Sequence, residues 1–135
     1  MPAVVVVNDA LEGFGHRDVF AWHLTITIKA ERLAKNGMPT KAESSVLDEI
    51  GDRIEEVLDR NTTEHGSANA LFLARVTCDG QRELEYRIHD PELVNAALER
   101  CTKAFREREW SYEMHGDDEW ADAQPFLELL ASVRN

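Results

Sequence analysis

Apolar and polar residues follow two clear periods in the first half of the chain, and each period predicts one element. Apolar residues fall at every second position from Phe20 to Ile28. This period is typical of a strand with one buried face. From Thr40 to about Arg60 the apolar residues recur at helical spacing, which predicts an amphipathic helix. Its apolar stripe is Val46, Leu47, Ile50, Ile54, Val57 and Leu58, and its acidic face is Asp48, Glu49, Asp52, Glu55, Glu56 and Asp59.

The start of this helix is marked by the segment Asn36-Gly37-Met38-Pro39-Thr40. Asn-Gly is a turn dipeptide, and proline lacks a backbone donor and keeps the preceding residue extended. Thr40 and Glu43 have the spacing of a capping box. We expect the threonine hydroxyl to accept from the Glu43 N–H, and the Glu43 carboxylate to accept from the Thr40 N–H.

Other segments before residue 90 read as strands or loops. Ala3 to Val7 is a β-branched run that predicts a short strand, and residues 11–18 and 61–67 read as loops.

Two strands, Ala70 to Thr77 and Arg82 to His89, flank Asp79-Gly80. A two-residue loop would place Val76 opposite Glu83 and Phe72 opposite Arg87, mixing apolar with charged residues. A three-residue loop would keep one face apolar by pairing Ala74 with Leu84, Phe72 with Tyr86 and Ala70 with Ile88. We therefore predict the longer loop, with a bulge and with Gly80 in the left-handed region.

The last third of the chain predicts two helices separated by a strand. Asp90-Pro91 opens the first, with proline at the first helical position. Its stripe is Leu93, Val94, Ala97, Leu98, Cys101 and Phe105. Trp110, Tyr112 and Met114 then alternate as a strand. Asp117 or Asp118 is expected to cap a terminal helix that contains Trp120 and that Pro125 kinks or restarts.

This order of elements predicts a single α+β domain over residues 1–135 with a ferredoxin-like βαββαβ antiparallel sheet, an extra N-terminal strand and a C-terminal helix. The strands that begin at Phe20 and Arg82 would be central. The strands at Ala70 and Trp110 would be outer, unless the Ala3 strand adds to one edge. The helices would cover the sheet face that carries Trp22, Leu24, Phe72, Tyr86 and Tyr112.

Composition narrows the classes of partner. The 26 acidic and 15 basic residues give a formal net charge of -11, which disfavours nucleic acid and anionic membranes and favours a basic protein. The same charge also serves solubility alone. Two cysteines, Cys78 and Cys101, are too few for a disulfide framework. The N-terminal segment reads as too short for a signal peptide or a membrane span, so we expect a cytoplasmic protein.

Several of these segments together resemble a bacterial domain-of-unknown-function family, number 695. The segments are Ala-Val-Val-Val-Val-Asn at 3–8, the Trp22 strand, Asn-Gly-Met-Pro-Thr at 36–40, Glu-Ile-Gly-Asp at 49–52, Asp-Gly-Gln-Arg-Glu at 79–83 with Tyr86, and Asp118-Glu119-Trp120. Asp118 stands where the family pattern has proline. The resemblance implies a fold similar to the ribonuclease E regulator B family. It brings no catalytic residues to this chain.

The search for chemistry finds no phosphate loop, no CxxC, no HExxH and no GxSxG motif. Strand parity places His23, His89 and His115 on the sheet face away from the helices, at one corner with Glu113 nearby. Such a group could hold zinc or another transition metal; the alternative is three exposed or partner-facing histidines. The same face is expected to carry Thr25, Thr27, Lys29, Leu71, Leu73, Arg75, Glu83, Glu85 and Arg87.

Leu71 and Leu73 are out of place on a water-facing sheet. They predict a cover: the Ala3 strand, the terminal helix around Trp120, a second copy or a partner. The intramolecular covers are favoured, with Trp120 as a core anchor of the last helix.

Two function classes remain. The favoured one is a non-catalytic protein-binding or regulatory module that presents Glu49, Asp52 and Glu56 to a basic partner, without a cofactor. The alternative is a metal- or small-molecule-binding domain, enzymatic or not, that uses the open sheet face. A homodimer through that face is a further candidate assembly.

Overall fold

The computed structural model describes residues 3–134 of the chain. The elements are β1 (Ala3–Val7), β2 (Trp22–Lys29), α1 (Lys41–Arg60), β3 (Ala70–Cys78), β4 (Gln81–Ile88), α2 (Pro91–Ala104), β5 (Trp110–Gly116) and α3 (Gln124–Arg134). A short 3-10 turn at Asp9–Leu11 follows β1. None of the helices within residues 3–134 combines the length and apolarity needed to cross a membrane.

The five strands form one antiparallel sheet in the order β1-β3-β4-β2-β5. The α+β class is therefore confirmed. β4 and β2 lie inside the sheet as expected, and β5 is an edge strand. β1 pairs with β3 and takes the other edge, so the strand order differs from that of a simple four-stranded ferredoxin-like sheet.

The main core lies between the sheet and the two long helices. Leu24, Ile26 and Ile28 of β2 are fully buried, as period-two alternation predicts. Burying each of them contributes about 1.5–3 kcal/mol. The helices supply the other side of this core through Leu47, Ile50, Ile54, Leu58, Val94 and Leu98.

A second core covers the opposite face of the sheet. Leu73 and Trp120 are both fully buried in it, together with Leu11, Phe20, Ala74 and Ala123. Leu71, Phe126 and Leu127 pack against this cluster. The expected intramolecular cover of Leu71 and Leu73 is therefore present. Trp120 is a core residue, but it has φ of 59° and precedes α3 rather than lying within it.

The segment around Trp120 also corrects the prediction that Asp117 or Asp118 caps the terminal helix. The Asp117 carboxylate accepts from the N–H groups of Ala121 and Asp122 at 2.9 and 3.0 Å. It therefore caps the turns around Trp120, and α3 starts only at Gln124, one residue before Pro125. Proline is tolerated in the first turn of a helix because the N–H that it lacks has no partner inside the helix there.

The β3–β4 hairpin has a different turn from the one predicted. Cys78 pairs with Gln81, so the loop has two residues, and Asp79 and Gly80 both have positive φ (55° and 77°). This is the combination that a type I′ turn requires. The bulge lies instead within β3, between Phe72 and Ala74. Gly80 is left-handed as predicted, but the pairing of Ala74 with Leu84 was wrong.

Because of this bulge, β3 keeps apolar residues on the helix-covered face although the turn has only two residues. Between the turn and the bulge, Arg75 pairs with Leu84 and Val76 with Glu83. Beyond the extra residue Leu73, the predicted pairs Phe72–Tyr86 and Ala70–Ile88 are present. Arg75 therefore lies on the helix-covered face with Leu84, and its predicted position on the open face was wrong.

The start of α1 confirms one half of the capping box. The Thr40 hydroxyl accepts from the Glu43 N–H at 3.2 Å. The Thr40 N–H donates to the Arg32 carbonyl and not to Glu43. The buried Glu43 carboxylate accepts from the Glu31 N–H at 2.8 Å and from the Arg108 guanidinium, with two contacts of 2.7 Å. Glu43 thus joins α1 to the segment before β5.

Candidate functional site

The three acidic residues predicted to bind a partner lie on one exposed face of α1. Glu49, Asp52 and Glu56 are spaced three and four residues apart, and all three are exposed. Glu56 is paired with Arg60 at 2.6 Å. Within the described part of the chain, Glu49 and Asp52 form no ion pair. The exposed face therefore keeps two uncompensated carboxylates in adjacent turns.

A cleft of about 180 Å³ adjoins this face, between α1 and the strands β1, β3 and β4. Gly51 leaves room between the helix and the sheet, because it presents no side chain toward Leu84. The apolar part of the lining comes from Val6, Leu47, Phe72, Leu84 and the Tyr86 ring. The charged part comes from Asp48, Asp52, Glu55, Arg75 and Arg82.

One end of the cleft carries two arginines and one carboxylate. Arg82 is 4% exposed and donates to Asp48, to the Thr77 hydroxyl at 3.1 Å and to the Ser44 hydroxyl at 3.2 Å. Arg75 lies 3.8 Å from the same Asp48 carboxylate. Burial lowers the pKa of Arg82, and Asp48 opposes that shift. Two cations therefore share one carboxylate at this end.

The other end carries excess negative charge. Partial desolvation raises the pKa of Glu55, and the charges of Asp59 and Asp52 raise it further. Burial raises the pKa of the Tyr86 hydroxyl, and the same three carboxylates add to the shift. Neither Asp52 nor Glu55 has a basic partner within residues 3–134. A cation placed here would relieve the repulsion that these pKa shifts record.

This arrangement can bind a long cationic side chain. Lysine and arginine have an apolar stem and a charged end, which match the apolar floor and the acidic rim of the cleft. The lining contains no histidine or cysteine, and its carboxylates are not among the closely grouped ligand atoms of residues 3–134, which belong to His23, Asp117 and Asp122.

The histidines predicted to bind a metal are only partly brought together. His23 and His115 are cross-strand partners with ring centroids 5.9 Å apart. His89 lies beyond the end of β4, where Nδ1 is 2.8 Å from the Val19 carbonyl and the ring contacts Phe20. His115 forms a close pair with Asp122. Among the described residues, the ligand atoms that come within 4.8 Å of one another belong to His23, Asp117 and Asp122.

A buried arginine already supplies positive charge at this group. Arg87 is fully buried; its Nη1 donates to Asp117 Oδ2 at 2.8 Å and lies 3.1 Å from His23 Nδ1. An arginine nitrogen can only donate, so Nδ1 of His23 accepts, and Nε2 donates to Glu85 at 2.7 Å. A metal ion at His23 and Asp117 would have to displace this guanidinium.

The Asp117 carboxylate is tied to the same arginine. Burial raises the pKa of Asp117, but the N–H groups of Asp122 and Ala121 and the Arg87 guanidinium lower it by more, so the net shift is downward. The Arg87 guanidinium also stacks over the Trp120 ring, with Cζ 4.6 Å from the centroid. Arg87 therefore fastens the Trp120 segment to the sheet.

Sequence reasoning missed the cleft and the two buried arginines. Sequence patterns place Val6, Phe72 and Tyr86 on their strands, but no sequence signal showed that a cleft separates them from part of α1. Arg82 read as a polar strand residue. Arg82, Leu84 and Tyr86 are spaced two residues apart in β4, so they lie on the same face of the sheet. This spacing is the signal that would have placed Arg82 under α1.

Comparison with known proteins gives a family and no activity. A family model described as a family of unknown function (DUF695) matches residues 1–128. No curated protein matches the chain. Among solved structures it is similar to the de novo designed protein Foldit4, at 17% identity over 71% of this chain and 97% of that chain, with a TM-score of 0.43. That score is too low to bear on the fold. The match over residues 1–128 shows that the chain belongs to the family of unknown function DUF695.

Proposed function

We propose that the chain is a non-catalytic protein-binding module with a regulatory role, which holds a basic segment of another protein against α1. The observation that carries this proposal is the uncompensated charge of Asp52 and Glu55 at the rim of an apolar cleft. The proposal includes the cytoplasmic location expected from the sequence. It also treats the βαββαβ part as a ferredoxin-like unit akin to the ribonuclease E regulator B family.

Two surfaces contribute to binding. Asp52 lies between the cleft, which it lines with Glu55, and the exposed face that carries Glu49 and Glu56. A basic segment that crosses α1 at Asp52 would contact both surfaces. Such electrostatic complementarity accelerates association and excludes acidic competitors, and its strength falls as salt screens the exposed charges.

The test compares two triple variants with the same change in net charge. The first, Glu49→Lys with Asp52→Lys and Glu56→Lys, reverses the α1 face. The control, Asp18→Lys with Asp118→Lys and Glu119→Lys, reverses exposed acidic residues outside α1. Proteins captured from native lysate at low and high salt are identified by mass spectrometry for the wild type and both variants.

The expected result is a basic protein that the wild type and the control retain at low salt, and that the α1 variant and high salt release. Capture of the same proteins in the same amounts by all three forms would contradict the α1 assignment. Loss of the protein from both variants alike would show a response to net charge alone, and would also count against a specific surface.

The alternative function, a metal-binding domain, is supported by the grouping of His23, Asp117 and Asp122. Calorimetric titration of zinc into chelator-treated protein tests it. Binding heat that His23→Ala removes would favour the metal function. Absence of heat, together with an unchanged melting temperature, would end it.

A further inference from the structure

The free edge of β1 is unusual for an exposed strand. β1 consists of alanine and four valines, and it carries no charge and no proline. Val4, Val5 and Val6 are 52%, 36% and 41% exposed. Natural edge strands are usually protected by charged residues, proline or a covering element, because an unprotected edge pairs with other chains. No strand in the described part of the chain covers the outer side of β1.

Backbone hydrogen bonding shows which groups this edge offers. The Asn8 N–H donates to the Leu73 carbonyl, and Val7 pairs with Ala74 in register. In an antiparallel ladder such a pairing makes Val7 a non-hydrogen-bonded position, and hydrogen-bonded positions alternate with it. Ala3, Val5 and Val7 therefore direct their N–H and C=O groups away from β3. These groups need partners from water or from another strand.

Side-chain directions connect this edge to the cleft. Val4 and Val6 pair with Thr77 and Arg75, which lie on the helix-covered face. Val6 also lines the cleft that Asp52 and Glu55 border. A strand added beside β1 would lie about 4.8 Å further out, with every second side chain on the cleft side. Long basic side chains at those positions would extend toward the two carboxylates.

We propose that the partner binds as an added strand on β1, with an extended segment in which basic residues alternate with small apolar ones. The inference rests on the proposed function and specifies how the basic partner is held. Main-chain hydrogen bonds to Ala3, Val5 and Val7 supply affinity, and the basic side chains above the cleft supply specificity.

Charge complementarity selects this occupant over a second copy. A two-fold pairing of β1 with itself would extend the sheet and place both α1 helices on the same side of it. Each copy has a net charge of -11. The acidic faces of the two α1 helices would then face each other across the junction and repel. A basic segment instead neutralises Asp52 and Glu55.

The strand at the other edge of the sheet, β5, differs from β1 in its side chains. β5 carries Glu113 and His115 on one face, and His115 is paired with Asp122. On its other face the Tyr112 hydroxyl donates to the Asn95 Oδ1 at 2.6 Å. Charged residues and side chains held by α2 make β5 a protected edge, whereas β1 carries no charged residue.

The test uses a short capped peptide that alternates lysine with valine, titrated into ¹⁵N-labelled protein. The expected result is a shift of the Ala3, Val5 and Val7 amide signals, with cross-strand contacts between peptide and β1 in the nuclear Overhauser spectrum. Val5→Pro removes an outward N–H that β3 does not use, and should weaken binding about tenfold. Val5→Thr is the matched control and should bind as the wild type does. Replacing valine by its N-methyl form in the peptide tests the same hydrogen bonds without altering the protein.

The outcomes separate this inference from the proposed function. If Val5→Pro and the N-methylated peptide bind normally while Asp52→Asn with Glu55→Gln weakens binding, the added strand is refuted and the acidic surface stands. If the carboxylate variant also binds normally, both proposals fail. If the β1 signals shift with protein concentration in the absence of peptide, the occupant is a second copy and the inference is overturned.

Discussion

The buried Glu43–Arg108 pair allows a quantitative prediction of stability against pH. Glu43→Gln keeps the size and shape of the side chain and removes its charge. Two hydrogen bonds from Arg108 lower the pKa of Glu43 from 4.5 to about 2. A shift of this size corresponds to about 3 kcal/mol of folding free energy at pH 7. Because the folded pKa is depressed, this stabilisation is present above the unfolded pKa and is lost as the pH falls through the folded value.

The assay is urea unfolding of wild type and Glu43→Gln, followed by tryptophan fluorescence at pH 7, 5 and 3. The linkage relation gives a charge-dependent difference of about 3 kcal/mol at pH 7 and pH 5, and about 1 kcal/mol at pH 3. A glutamine amide facing Arg108 adds a cost that does not depend on pH. Glu49→Gln, on the exposed face of the same helix, should change stability by less than about 0.5 kcal/mol. A wild-type advantage that is equal at pH 7 and pH 3 would refute the reasoning.

Three further substitutions test other parts of the structure by urea unfolding. Arg87→Met leaves the Asp117 carboxylate without its buried cation and the Phe20 carbonyl without its donor, and should cost about 3–5 kcal/mol; a loss under about 1 kcal/mol would contradict the role given to this arginine. Gly80→Ala forces a side chain onto φ of 77° and should cost about 1 kcal/mol, whereas Gly15→Ala, with nothing within 4 Å, should be neutral. Gly51→Ala should stabilise α1 by about 0.5–1 kcal/mol, because its Cβ would meet Leu84 at an ordinary 3.7 Å. It should also weaken binding of the lysine–valine peptide, since the added methyl group occupies part of the cleft. Normal peptide binding by Gly51→Ala would argue against the cleft.

Local periods were sufficient to predict the element order and the buried faces. The alternation of β2 and the stripe of α1 each report burial on one side. The structure buries most of those positions and leaves Trp22, Val46 and Val57 half-buried. Thr40 and the Asp90-Pro91 pair act through their own backbone neighbours, so sequence spacing alone locates the starts of α1 and α2.

Two of the errors, at Glu43 and at Trp120, concern groups whose partners are distant in sequence. Glu43 has two competing sets of donors, one local and one from Arg108, which is 65 residues away. A charged guanidinium is a stronger partner for a carboxylate than a neutral N–H, so the distant partner prevails. Likewise the Trp120 segment leaves helical geometry. The Trp120 indole N–H donates to the Arg17 backbone carbonyl at 2.9 Å, and the Arg87 guanidinium stacks on the indole ring. Neither interaction has a local sequence signal.

The candidate site depends on the one-residue bulge at Leu73. Without it, the two-residue turn would continue an unbroken register in which Phe72 faces away from the helices. The two-residue turn pairs Arg75 with Leu84 and so directs it toward Asp48, and the bulge beyond it keeps Phe72 on the floor of the cleft.

Arg75 and Arg82 both pair with Asp48. Asp52 and Glu55, which follow Asp48 on the acidic face of α1, therefore have no cationic partner within the described residues. At the Asp48 end of the cleft two arginines therefore outnumber one carboxylate, whereas the Glu55 end is acidic. A basic segment bound beside β1 would place its positive charge at the Glu55 end, where desolvation, with added repulsion from Asp59 and Asp52, raises the pKa of Glu55. A cation at the Asp48 end would instead meet two arginines. The two-residue turn, which places Arg75 and Arg82 beside Asp48, therefore sets the charge distribution that a partner strand must match.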